Sequence, residues 1–193
     1  MTKRTAYLFV FDGLADWEPA SALAELRRTF GFSVKTFAGA TGPVVTMGGI
    51  AVTPDLHIDE LRPELVDLLI LPGGDAWMEG EIRGITDLVQ TVHRMERPVA
   101  AICAATLSLA HAGLLNNHRH TSNGRGFIGK YVPAYGGQGL YEKVRAVRDG
   151  NVITANGLAP FAFAAEIFRA VAPDRAGDIA TYEQLYLRGL LDD

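Results

Sequence analysis

Short apolar runs, each closed by glycine, proline or a polar residue, alternate along the chain with stretches whose apolar residues recur every three or four positions. Runs of the first kind read as strands of a parallel sheet covered on both faces, and stretches of the second kind as amphipathic helices. Residues 6–11, 32–37, 66–71 and 99–102 are four such strands. Ala22, Leu23 and Leu26 carry a helix to about Arg28, with Pro19 suited to its first turn and Glu18 at its mouth. Ile85, Leu88, Val89 and Val92 mark a helix over 82–95, and another begins at Ala104 and ends near Gly113.

Smaller features fill the gaps. Residues 44–52 read as a hairpin turned at Gly48-Gly49, and 59–61 as one helical turn. A short strand is expected over 118–122. Residues 123–140 hold six glycines and read as an irregular loop. Residues 144–147 and 152–155 pair through Asp149-Gly150-Asn151, a favoured hairpin turn. A core helix over 160–171 and an amphipathic helix over 178–191 complete the pattern. Strands alternating with helices imply an α/β sandwich with a mostly parallel sheet. One domain over 1–193 is expected, with 173–193 as a helical extension.

Composition narrows the function classes. The 193 residues are 48% hydrophobic and 21% charged, and the net charge of −4 leaves no clustered basic footprint for nucleic acid. The N-terminal apolar run is too short for a signal peptide, and the uncharged run 98–117 falls short of a membrane span. No membrane partner is expected. A single cysteine rules out an internal disulfide and a multi-cysteine zinc site, and points to the cytoplasm. No metal and no cofactor are expected. Gly124-Arg125-Gly126-Phe127-Ile128-Gly129 matches a dinucleotide fingerprint by letters only, because Pro133 and Gly136-Gly137 prevent the required helix.

The candidate chemistry gathers at strand ends, where open α/β sheets bind ligands. Cys103 follows the strand 99–102 and precedes a helix, a nucleophile elbow in strand–turn–helix form. Free amides and the helix dipole there favour thiolate. The plainer alternative is a buried small hydrophobe. Gly73-Gly74 is either a turn or, with the Ala104 amide, an oxyanion hole built on the Gly74 N–H. Glu18 is either an ordinary helix N-terminal carboxylate or a proton partner of Cys103, its pKa raised by burial.

Four stretches together resemble the DJ-1/PfpI (ThiJ) superfamily over about residues 5–172: Phe11-Asp12-Gly13-Leu14-Ala15-Asp16-Trp17-Glu18, Leu71-Pro72-Gly73-Gly74, Ala101-Ile102-Cys103-Ala104-Ala105-Thr106 and residues 149–157. The likeness is to bacterial intracellular protease/amidase or type 1 glutamine amidotransferase-like members. It implies a flavodoxin-like three-layer α/β/α sandwich, a homodimer, a reactive Cys103 beside Glu18, and an oxyanion hole from Gly74 and Ala104. Members of that superfamily act as proteases, amidases, deglycases or glyoxalases, or isocyanide hydratases.

Two departures stand out. Protease-type members carry histidine directly after the cysteine, where this chain has Ala104. Members nearer DJ-1 carry histidine after a Thr/Ser pair, where Thr121-Ser122 leads here to Asn123. Asn cannot take a proton from a thiol. His111, eight residues past Cys103, lies about 12 Å along the helix axis. His57 and His93 read as bland. His120 is the one plausible substitute, although strand alternation points it away from Asn123. Gly73 and Trp17 complete the expected pocket. The expectation is thus a cysteine-dependent hydrolase or lyase-type enzyme taking a small carbonyl or amide compound. Redox sensing or stress protection through Cys103 oxidation is the alternative. A glutamine amidotransferase would need a late His-x-Glu, and no histidine follows His120. A transcription regulator would need an appended DNA-binding domain, for which the sequence leaves no residues.

Overall fold

In the computed structural model, which describes residues 3–189, seven strands form one sheet. In chain order the strands are β1 (Thr5–Phe9), β2 (Ser33–Ala38), β3 (Val44–Val45), β4 (Ala51–Val52), β5 (Leu56–His57), β6 (Leu68–Leu71), β7 (Val99–Ile102), β8 (Ala146–Asp149) and β9 (Val152–Ala155). The main sheet runs β5-β2-β1-β6-β7-β9-β8, while β3 and β4 pair apart as the expected hairpin. Every pairing in the main sheet is parallel except β8 with β9. The central strands β6, β7 and β9 are buried at every position, as strands covered on both faces must be.

The helices are α1 (Trp17–Arg28), α2 (Ile85–Arg94), α3 (Thr106–His111), α4 (Phe127–Tyr131), α5 (Pro160–Val171) and α6 (Ala176–Tyr182). Helices α1, α5 and α6 pack together, and α2 packs with α3. One core spans the layers, with Leu26, Phe163 and Phe168 fully buried from the helices and Leu69 and Ile70 from the sheet. This is the flavodoxin-like three-layer sandwich with a mostly parallel sheet. No helix among the described residues is long and apolar enough to cross a membrane.

Several expected elements are corrected. The strand at 66–71 starts only at Leu68, because Asp67 turns its carboxylate to the Thr5 amide (2.8 Å) and to Arg97 (3.1 Å). The strand expected at 118–122 shrinks to a single bridge between His120 and Tyr141. Within the expected loop 123–140, buried Ile128 pins the short helix α4 to the core, and Pro133 follows its end. The hairpin strand at 144–147 is shifted to 146–149, leaving Val144 exposed. The helix expected over 178–191 is α6 followed by a π-turn, Glu183–Leu187. Its predicted end at Leu191 lies outside the described residues. Strand β5 carried too little pattern to be expected at all.

Candidate active site

Cys103 stands where β7 ends, with φ = 61°. That left-handed backbone is costly for a side chain with a Cβ, on the order of 1–3 kcal/mol, and survives only where its surroundings enforce it. Here Thr106 Oγ1 donates to the Cys103 carbonyl (2.7 Å) and shares a hydrogen bond with Ser122 Oγ (2.7 Å). A 3-10 turn, Cys103–Ala105, precedes α3, so the helix proper opens later than Ala104.

Glu18, the second residue of α1, is completely buried. Its Oε2 accepts the Gly73 amide at 2.5 Å, Oε1 is buried without a hydrogen-bond partner, and the carboxyl lies beside the Cys103 thiol. Two glycines make room for this approach. A Cβ on Gly73 would lie 2.6 Å from both Cys103 Cβ and Glu18 Oε2. One on Gly157 would lie 2.7 Å from Cys103 Sγ and 3.1 Å from Glu18 Oε1. Gly74 is dictated by backbone as well as space: its φ is 156°, and a Cβ would strike the Phe11 ring at 2.7 Å.

The electrostatics differ from the expectation for an isolated elbow. Burial pushes the Cys103 thiol up to about 11, the neighbouring Glu18 charge adds to the rise, and the Asn123 and Ala104 donors oppose it. Burial also raises Glu18, against the opposing pull of the Gly73 amide. Desolvation therefore outweighs the dipole and amide effects that favour a free thiolate. Two groups that both hold protons strongly and face each other titrate as a pair. The Glu18 carboxyl beside the thiol is the group positioned to take its proton.

Asn123 is the third group at the sulfur. Its Nδ2 donates to Sγ at 3.1 Å and its Oδ1 accepts the Gly157 amide at 3.0 Å, so it is held from both ends. The segment that carries it is anchored by Thr121, whose amide donates to Thr154 Oγ1 on β9 (2.9 Å). His120 is removed from the site. It is fully buried, with Nδ1 donating to the His118 carbonyl (2.7 Å) and Nε2 accepting from the Tyr135 hydroxyl (2.6 Å). His111 lies 3.4 Å from Glu81, and His57 caps a 3-10 turn, both apart from the thiol.

Above the pair opens a cavity of about 640 Å³, lined by Trp17, Cys103, Asn123 and Tyr141 among others. Trp17 is half exposed, its indole 3.5 Å from the Gly157 carbonyl. Lys143, Arg145 and Leu158 stand in the same lining. Gly157, Thr106 and these three rim residues were missed in the sequence. Gly157 read as a turn, and nothing local distinguishes a rim cation from a solvated one. No group of three or more potential metal ligands occurs among the described residues.

An α/β sandwich with a cysteine on a left-handed strand–helix elbow, facing a buried carboxyl, defines a class of protein. The DJ-1/PfpI family model matches residues 4–170, and the chain belongs to that family. It is 39% identical over 184 residues to the uncharacterized protease YoaZ of Bacillus subtilis (strain 168), covering 90% of this chain and 88% of that protein. It is 32% identical over 126 residues to protein/nucleic acid deglycase 2 of Escherichia coli (strain K12), covering 63% of this chain and 72% of that protein. Among solved structures, a thiJ/pfpI family protein from Bacillus anthracis superposes with a TM-score of 0.88 at 35% identity, covering 96% of this chain and 91% of that one.

Proposed function

We propose that the protein is a cysteine-dependent enzyme that takes a small carbonyl or amide compound through covalent attack by Cys103. The observation that carries this reading is the Glu18–Cys103 pair, closed in by Gly73 and Gly157 at the floor of an open cavity. In the first step the Glu18 carboxylate takes the Cys103 proton while the sulfur electron pair forms a bond to the substrate carbon. The carbonyl π pair moves to oxygen, where the Ala104 and Gly74 amides are the donors we assign to the developing charge. Glu18 then returns its proton to that oxygen, or to the leaving group of an amide. Asn123 stabilises the sulfur as a hydrogen-bond donor but cannot carry a proton, which argues against the two-way proton shuttling of efficient peptide hydrolysis. The protease and deglycase names of the relatives support the broad class of chemistry.

Turnover of a panel containing methylglyoxal and p-nitrophenyl acetate tests the proposal. Cys103→Ser is expected to lose more than about 10³-fold in kcat/KM, and a wild-type activity that survives this change overturns it. The unpartnered Glu18 Oε1 favours one second reading, in which protonated Glu18 hydrogen-bonds an oxidised sulfur. A panel without turnover, combined with clean uptake of two oxygens at Cys103 under mild peroxide, selects that reading.

A further inference from the structure

Two cations at the cavity mouth, Lys143 and Arg145, have no counter-charge among the described residues. Each lines the pocket, each is exposed, and neither forms an ion pair among the described residues. Nearby cations are spent otherwise: Arg119 pairs with Glu142 and Asp149, and Arg148 with Glu166. The one acid in the lining, Glu18, is buried at the floor beside Cys103. An acidic protein of net charge −4 thus presents a locally positive opening over its thiol.

The backbone holds this arrangement in place. Arg145 is the residue before β8, and its carbonyl accepts the Asn156 amide at 3.1 Å, directly before the Gly157 floor. The Val144 carbonyl accepts from Thr121 Oγ1 at 3.0 Å, in the segment that carries Asn123. The cationic residues are therefore tied to the groups that touch sulfur. Trp17 and Leu158 give the same mouth two exposed apolar surfaces.

We infer that the substrate is a small carbonyl or acyl compound bearing a carboxylate, whose anionic end is received by Lys143 and Arg145 while its electrophilic carbon meets Cys103 Sγ. The inference rests on the reading of Cys103 as nucleophile and names the substrate class for it. Guanidinium and ammonium groups at a partly enclosed mouth attract and orient a carboxylate, and can raise the encounter rate of an anion by about 10-fold or more.

Iodoacetate and iodoacetamide test this with one chemistry and two charges. In both, the sulfur displaces iodide from the same carbon, forming S–C as C–I breaks. Only iodoacetate carries the carboxylate. The ratio of the two labelling rates, iodoacetate over iodoacetamide, is expected to exceed that of glutathione by about 10-fold or more in low salt. It should fall as salt screens the mouth, and return to the glutathione value in the double variant Lys143→Gln/Arg145→Gln. A wild-type ratio equal to that of glutathione, with iodoacetamide labelling intact, overturns the carboxylate inference and leaves the nucleophile standing. A raised ratio unchanged in the double variant overturns the assignment to these two side chains. Failure of both reagents to label Cys103 overturns the inference together with the reading beneath it.

Discussion

Glu18 is the residue whose behaviour is most specific to this site. With Glu18 taking the thiol proton as the sulfur attacks, the pair can present a nucleophilic sulfur without releasing a proton to solvent. Alkylation of the wild type by iodoacetamide should therefore stay nearly level from about pH 6 to about pH 9, where an ordinary thiol gains steeply. In Glu18→Gln the proton has no carboxylate to occupy, and the thiol must ionise into water against its burial. Labelling at about pH 7 should drop by about 10-fold or more and climb with pH. A pH profile that runs parallel to the wild type would falsify proton transfer to Glu18. Asn123 contributes a fixed donor whose capacity is that of an amide, so the profile should carry no histidine-like inflection. The sequence already showed that identity. What it hid was the contact, because the bond from Asn123 to Sγ joins positions twenty residues apart.

At the scale of elements, the site is where four connections meet: β1 to α1, β6 to the 3-10 turn Asp75–Met78, β7 to α3, and β9 to α5. The first three were legible because each strand end closes on a short motif. The fourth looked like any Asn-Gly turn, although its Gly157 is as closely fitted to the sulfur as Gly73. Gly157→Ala is expected to push the thiol away from Glu18. It should cut iodoacetamide labelling by about 10-fold or more, at a stability cost of about 1–3 kcal/mol from overpacking. Gly139→Ala, where an added Cβ meets nothing within 4 Å, serves as the comparison and should leave both quantities unchanged. Labelling that is equal in the two variants would show that this connection does not set the sulfur's position. Short elements were the least legible. The two residues of β5 and the five of α4 are held by tertiary contacts rather than by their own periodicity.

For the molecule as a whole, the buried pair makes stability depend on pH. Both groups hold their protons more tightly folded than unfolded, so unfolding releases protons and stability falls as pH rises. The thiol's share is intact below about 8.5, the value of an unfolded cysteine. It is lost progressively as pH rises towards the folded value of about 11. Urea denaturation midpoints should accordingly fall faster for the wild type than for Cys103→Ser between about pH 8 and about pH 10. Parallel trends would mean that the folded thiol ionises like a free one. The overall architecture was legible because fully buried strands such as β6 and β7 have no other reading in a chain of alternating elements. The charge at the cavity mouth was not, because Lys143 and Arg145 acquire meaning only from the acids that fail to reach them.

Cys103 is also the chain's only sulfhydryl. That turns the site into an analytical standard for the protein that contains it. Any reagent that consumes thiol reports one event per chain, so the fraction modified directly counts intact sites in a preparation. A disulfide in this protein can only be intermolecular, and a covalently linked pair of chains would be joined sulfur to sulfur through two blocked sites.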